Sequence, residues 1–214
     1  MLINEDKSKI MVFNFTNNYQ FSTRLSIKDK KLEEVSETKL LGTILTNDLK
    51  WQKNTERIIK KANARMQLLR IATNFTSNWE DLKIIYISYI RSYLEQSCVV
   101  WHSGLTQENT QDLERIQKCA LKIILNESYK NYQNALNILE TESSENRREN
   151  LCLRFAKNSL KNEKIKSQFP FNNKVHIMST RNQQQFEVNN SNTMRLQKSP
   201  IIYMQKLLNE NLHY

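Results

Sequence analysis

Only two glycines and two prolines interrupt the 214 residues of this chain. They ordinarily make up about 7% and 5% of a sequence, and they are the residues that break helices and set tight turns. A chain this short of both must place most of its length in helix and confine its hairpins to one or two places. An apolar share of 39% is enough to bury a core at this length.

The hydrophobic period changes once along the chain. Residues 1–50 hold three short strand-like runs, "SKIMVFNF" (8–15), "FSTRLSI" (21–27) and "TKLLGTIL" (38–45), separated by polar turns. They predict a small antiparallel sheet. From Asn54 the period is helical: Ile58, Ala62, Met66 and Leu69 form one stripe, with Lys53, Arg57, Lys61 and Arg65 recurring every four residues beside it. Residues 79–104 are apolar almost all round, which suits the centre of a bundle, with Ser77 placed as N-cap and Gly104 as stop. A third helix over 106–125 turns Leu113, Ile116, Ala120, Leu121 and Ile124 inward and Arg115, Lys118 and Lys122 to another side. A short fourth covers 131–139. A fifth opens at Ser143 and Asn146, with Leu151, Phe155 and Leu160 apolar and Arg147, Arg148, Arg154, Lys157 and Lys161 forming a further basic surface.

Residues 51–165 thus read as a helical bundle. Residues 166–198, rich in Asn and Gln, hold too few large apolar side chains to offset their chain entropy and read as a flexible linker. In 199–214, Ser199 and Pro200 open a short amphipathic helix that must dock on something. The expected fold is α+β, a small sheet followed by a helical bundle and a flexible tail.

The chemistry in the sequence is sparse. His102, His176 and His213 lie in no metal-binding pattern, so no metal is expected and the imidazoles read as exposed or capping groups. Cys98, Cys119 and Cys152 are widely spaced and read as reduced, buried thiols. Two glycines cannot build a phosphate loop, and Asp6, Asp29, Asp48, Asp81 and Asp112 are too scattered to hold a pair of catalytic ions. No cofactor and no catalytic residue are expected. No apolar run reaches the roughly 20 residues of a membrane span, and Glu5, Asp6, Lys7 and Lys9 replace a signal-peptide core, so an intracellular location, nuclear or cytoplasmic, is expected. The net charge of +10 favours a polyanionic partner, against the plainer alternative that it only maintains solubility.

Four blocks in series, "NEDKSKIMVF" (4–13), "KLLGTILTNDLKW" (39–51), "YISYIRSYLEQSCVVWHSGLT" (86–106) and "LERIQKCALKII" (113–124), together resemble the C-terminal part of reverse transcriptases from non-LTR retrotransposons of the jockey type. The resemblance covers nearly all of the chain and the blocks keep the family's order. It implies that Lys7 matches the lysine after the catalytic strand, near the incoming nucleotide; an exposed turn lysine is the competing reading. Leu41 and Gly42 match the primer-grip hairpin, against the reading of a plain hairpin turn. The helices then correspond to the thumb, and Trp101 to a core anchor. In that family the paired catalytic aspartates immediately precede the first block, so the chain is expected to be a truncated, catalytically incompetent fragment of an RNA-directed DNA polymerase. Non-specific RNA or DNA binding through Lys53, Arg57, Lys61, Arg65, Arg115, Lys118, Lys122, Arg147, Arg148 and Arg154 would be its remaining activity. The alternatives are a module that binds a protein partner, such as another polymerase fragment, and a decayed gene product without function.

Overall fold

The computed structural model describes residues 4, 7–15, 25–28, 30–172, 186–188 and 191–211. Part of the expected strand over 21–27, much of the expected linker, His176 and His213 lie outside them. The fold is α+β, dominated by helix. The chain divides into two compact units, Met1–Arg57 and Ile58–Tyr214.

Among the described residues of the first unit the strands form three separate pairings. β1 (Lys9–Ile10) runs parallel to β4 (Glu33–Glu34), β2 (Ser26–Ile27) antiparallel to β3 (Lys30–Lys31), and β5 (Glu37–Leu40) antiparallel to β6 (Thr43–Thr46). The run 38–45, which alternation reads as one strand, is a hairpin whose two-residue turn is Leu41 and Gly42. Both have positive φ, 47° and 88°, the backbone that matches the right-handed twist of the flanking strands. α1 (Gln52–Ala72) follows. Within its first turn the buried Asn54 accepts the Ile44 amide at 3.1 Å, which ties the hairpin to the start of the helix. Asp48 accepts from the Thr46 hydroxyl at 2.7 Å and the Lys50 amide at 3.1 Å, and the Thr46 bond above all holds its carboxyl below the usual range.

The second unit is a bundle. Ile58, Ala62, Met66 and Leu69 of α1 are buried, as their spacing predicts. The single helix expected over 79–104 is instead broken. α2 (Trp79–Ile85) runs into a π-helical turn, Tyr86–Arg91, and then α3 (Ser92–Glu95); Ser97 is left-handed, and α4 (Cys98–Trp101) precedes a 3₁₀ turn, His102–Gly104. Two physical causes are visible. Buried Leu82, Tyr86, Ile90, Leu94 and Cys98 recur every four residues, which drifts off one face of a helix with about 3.6 residues per turn; a wider π turn brings them back into line. At the break, the indole of fully buried Trp101 donates to the Gln96 carbonyl at 2.9 Å. The helix is also less central than its composition implies, since Ile84 is 62% exposed and Tyr89 52%. Its N-cap is Asn78, which accepts the Glu80 amide, and not Ser77.

α5 (Gln107–Leu125), α6 (Tyr132–Ile138) and α7 (Ser144–Ser159) are capped by Thr106, Asn131 and Ser143. Gln117 of α5, fully buried, accepts from the Tyr86 hydroxyl at 2.9 Å and donates to the Glu142 carbonyl at 2.7 Å, a satisfied polar chain through the core. The buried stripe of α7 is Ser144, Arg148, Cys152, Ala156 and Ser159; Phe155 is 42% exposed and Leu151 only partly covered. The apolar face expected for this helix is thus rotated. The small side chains of the observed stripe admit close packing.

After α8 (Glu163–Lys166) and α9 (Met194–Gln197), α10 (Pro200–Asn211) docks against α7 and α4. Ala156, Phe169, Phe186, Met204 and Leu208 form one buried cluster. Asn209 holds Phe186 by both backbone groups, accepting its amide at 2.9 Å and donating to its carbonyl at 3.1 Å. Two phenylalanines from the region expected to be a linker therefore serve as core residues, each worth about 2–3 kcal/mol in removed apolar surface.

Candidate nucleic-acid interface

The four cations expected to form a ridge on α1, Lys53, Arg57, Lys61 and Arg65, do not stand free, because each meets a partner within its own unit. Lys53 pairs with the Glu37 carboxylate of β5. Arg57 is half-buried and donates to the Asn54 side chain at 3.4 Å, while its Nε has no hydrogen-bond partner among the described residues. Lys61 donates to the Tyr93 hydroxyl at 3.3 Å and lies over that ring. The Arg65 guanidinium sits 3.9 Å over the same ring and donates to the Tyr89 carbonyl at 2.6 Å. Two cations against one ring, with the Tyr89 bond, tie α1 to the π turn and α3. Lys61 remains exposed at the edge of this stack.

The outer face of α5 is more open. Arg115, Lys118 and Lys122 are exposed at spacings of three and four residues. Arg115 pairs with Asp112 at 2.7 Å, and such exposed pairs are worth under about 1 kcal/mol and exchange readily. Lys118 lies over the Tyr132 ring at 5.1 Å. Tyr132 in turn donates to Glu114, which also accepts the Ser144 and Glu145 amides at 3.2 Å and so closes the first turn of α7. Lys122 has no ion pair among the described residues. Arg154 on α7 is likewise exposed, with Lys157 and Lys161 near it in sequence.

Two expected contacts are withdrawn from the surface. Arg147 donates to Glu95 at 3.2 Å, a carboxylate it shares with Arg91. Arg148 is fully buried and cannot reach a phosphate in this fold. Its Nε donates to His102 Nδ1 at 3.4 Å, its Nη1 to the Ser144 hydroxyl, and Trp101 lies 6.0 Å from the guanidinium. His102 is therefore an acceptor inside the protein, not an exposed or capping imidazole, with Tyr203 of α10 edge-on against it. Burial first, and Arg148 second, push its pKa down to about 4. The helical period offered the clue to Arg148, because it falls in register with Cys152 and Ala156.

Lys7 is exposed, its amide donating to the Asn4 carbonyl. Leu41, at the hairpin tip with Gly42, is 90% exposed. Cys98 and Cys152 are buried and Cys119 is exposed, so the expectation of three buried thiols holds for two. Among the described residues no His, Cys, Asp and Glu group converges to hold a metal ion, and no helix is long and apolar enough to cross a membrane. Comparison with protein-family profiles, curated proteins and solved structures returned no match.

Proposed function

We propose that this chain acts as a thumb-like helical region of a non-LTR retrotransposon reverse transcriptase, gripping RNA or DNA by its backbone and contributing no catalytic group. The observation that carries this reading is the outer face of α5, where Arg115, Lys118 and Lys122 line one exposed side over about 10 Å of helix. Cations spaced along a helix neutralise successive phosphates without reading bases. The four sequence blocks supply the family, and the net charge of +10 supports the polyanionic partner. Binding of a fluorescent RNA–DNA hybrid, titrated against salt, tests it. Log affinity falling linearly with log salt, independent of sequence, is the expected result; salt-independent binding or none overturns it. With primed template, divalent metal and deoxynucleotides, no extension is expected.

A second reading, a protein-interaction module, is favoured by a separate observation. Leu68 and Ile71 near the end of α1, Phe75 in the turn after it, and Trp79 and Ile84 of α2 are exposed, Phe75 by 85%. Apolar side chains so placed favour partner association or self-association. Salt-insensitive association in sedimentation, lost in Phe75→Ser, would support this reading.

A further inference from the structure

One arrangement of cations occurs twice in the second unit. Residues 115–126 hold Arg115, Lys118 and Lys122 and no Asp or Glu; residues 151–162 hold Arg154, Lys157 and Lys161 and again no Asp or Glu. In both stretches the arginine comes first and the lysines follow at intervals of three and four residues. All six side chains are exposed, and among the described residues only Arg115 has an ion-pair partner, Asp112. Like charges three and four residues apart destabilise a helix. With no acid inside either stretch to relieve that repulsion, an external polyanion does so.

Each stripe lies across its helix from the buried side. Arg115 and Lys122 stand five and two residues from buried Ala120 on α5, and Arg154 and Lys157 two and five from buried Cys152 on α7. At about 100° per residue this puts them about 140–160° round the helix from those core positions. Lys161 continues the α7 stripe just beyond the helix end. Because α5 and α7 pack against each other, the two stripes look out from different sides of the bundle. Two helices, each about 10–12 Å wide, stand between them. A stiff duplex lying along one stripe reaches the other only by bending sharply, which is costly over so short a length.

We propose that the chain holds two nucleic-acid duplexes at once, one along α5 and one along α7, and so bridges them. This rests on the reading of α5 as a backbone grip and extends it to a second, separate site. Each stripe presents three cations over about 10 Å, against phosphates that rise about 3.4 Å apart along one strand. Neither site reads sequence, because charge on the backbone is all that either contacts.

A short RNA–DNA hybrid is labelled in one preparation with a donor dye and in another with an acceptor, and both are mixed with the full-length chain at low salt. Energy transfer reports bridging, anisotropy of one labelled hybrid reports binding, and sedimentation velocity gives the composition. Transfer should rise, peak near one chain per two hybrids and fall in excess protein, in a complex of one chain with two hybrids. Lys118→Glu with Lys122→Glu, and separately Lys157→Glu with Lys161→Glu, should each keep one binding step, with a smaller total salt slope, and lose the transfer. Tight binding without transfer at any ratio overturns the inference and leaves the α5 grip standing. So does a bridged complex that holds two chains, or transfer that survives the Lys157 and Lys161 reversal. Absence of binding by anisotropy overturns the α5 grip itself, and bridging with it. The wild-type stoichiometry decides the matter even if a reversed variant fails to fold.

Discussion

Arg65 covers the ring of Tyr93 at 3.9 Å, and its own hydrogen bond goes to the carbonyl of Tyr89, four residues earlier on the π turn. A planar guanidinium can stack and donate at once, which a lysine ammonium cannot reproduce. Arg65→Lys should therefore cost about 1 kcal/mol in urea denaturation. Because the contact is internal, the salt dependence of polynucleotide binding should stay unchanged; a slope that fell with Arg65→Lys would show that Arg65 faces phosphate.

The opposite pattern is expected on α5. The double reversal Lys118→Glu with Lys122→Glu should leave the melting temperature almost unmoved. It should reduce the log–log salt slope of hybrid binding by about 0.9 for each phosphate contact removed. An unchanged slope, measured by fluorescence anisotropy, would move the binding surface elsewhere.

Removing Arg148 tests the buried cluster. Arg148→Ala leaves a cavity and strips His102 and Ser144 of their donor, and should cost about 3 kcal/mol. Arg148→Met keeps most of the volume without the charge and should recover much of that loss. Equal losses for the two substitutions, in chemical denaturation, would mean that the lost charge and hydrogen bonds, and not volume, decide.

His102 makes the fold acid-sensitive. Its pKa lies near 4 in the folded protein against 6.5 unfolded, so between those values the unfolded chain binds the extra proton. Its contribution is intact above about pH 6.5 and is lost as pH falls towards 4, by about 2–3 kcal/mol. Glu149, held up first by burial and then by Glu210, acts in the opposite sense. Comparing His102→Gln with wild type across this window isolates the histidine: a flatter profile is expected, and parallel profiles would sink the assignment.

Leu41 occupies a left-handed turn position that asparagine adopts more readily. Leu41→Asn should stabilise the hairpin by about 0.5–1 kcal/mol, checked by thermal melting. A loss instead would show that the leucine is covered in the folded protein, contrary to its exposure.

Much of the fold was legible because its signals are local. Scarcity of glycine and proline, the stripe Ile58, Ala62, Met66 and Leu69, and the cap at Ser143 each act within a turn or two of helix. The break at Ser97 was not legible, because it is held by an indole that reaches back to Gln96 from a buried position. Nor was the core role of Phe169 and Phe186, whose surrounding composition is that of a linker but whose partners lie on α7 and α10.

The sequence by itself determined that this chain would be helical, basic and without a phosphate loop or a metal-binding pattern, since those properties follow from composition and short-range spacing. Tertiary structure decided which cations face outward. Lys61 meets Tyr93 across 32 residues, Arg148 meets His102 across 46 and Arg147 meets Glu95 across 52. A cation's freedom depends on what a distant element places beside it, and at four-residue spacing a solvated lysine and a buried arginine look alike.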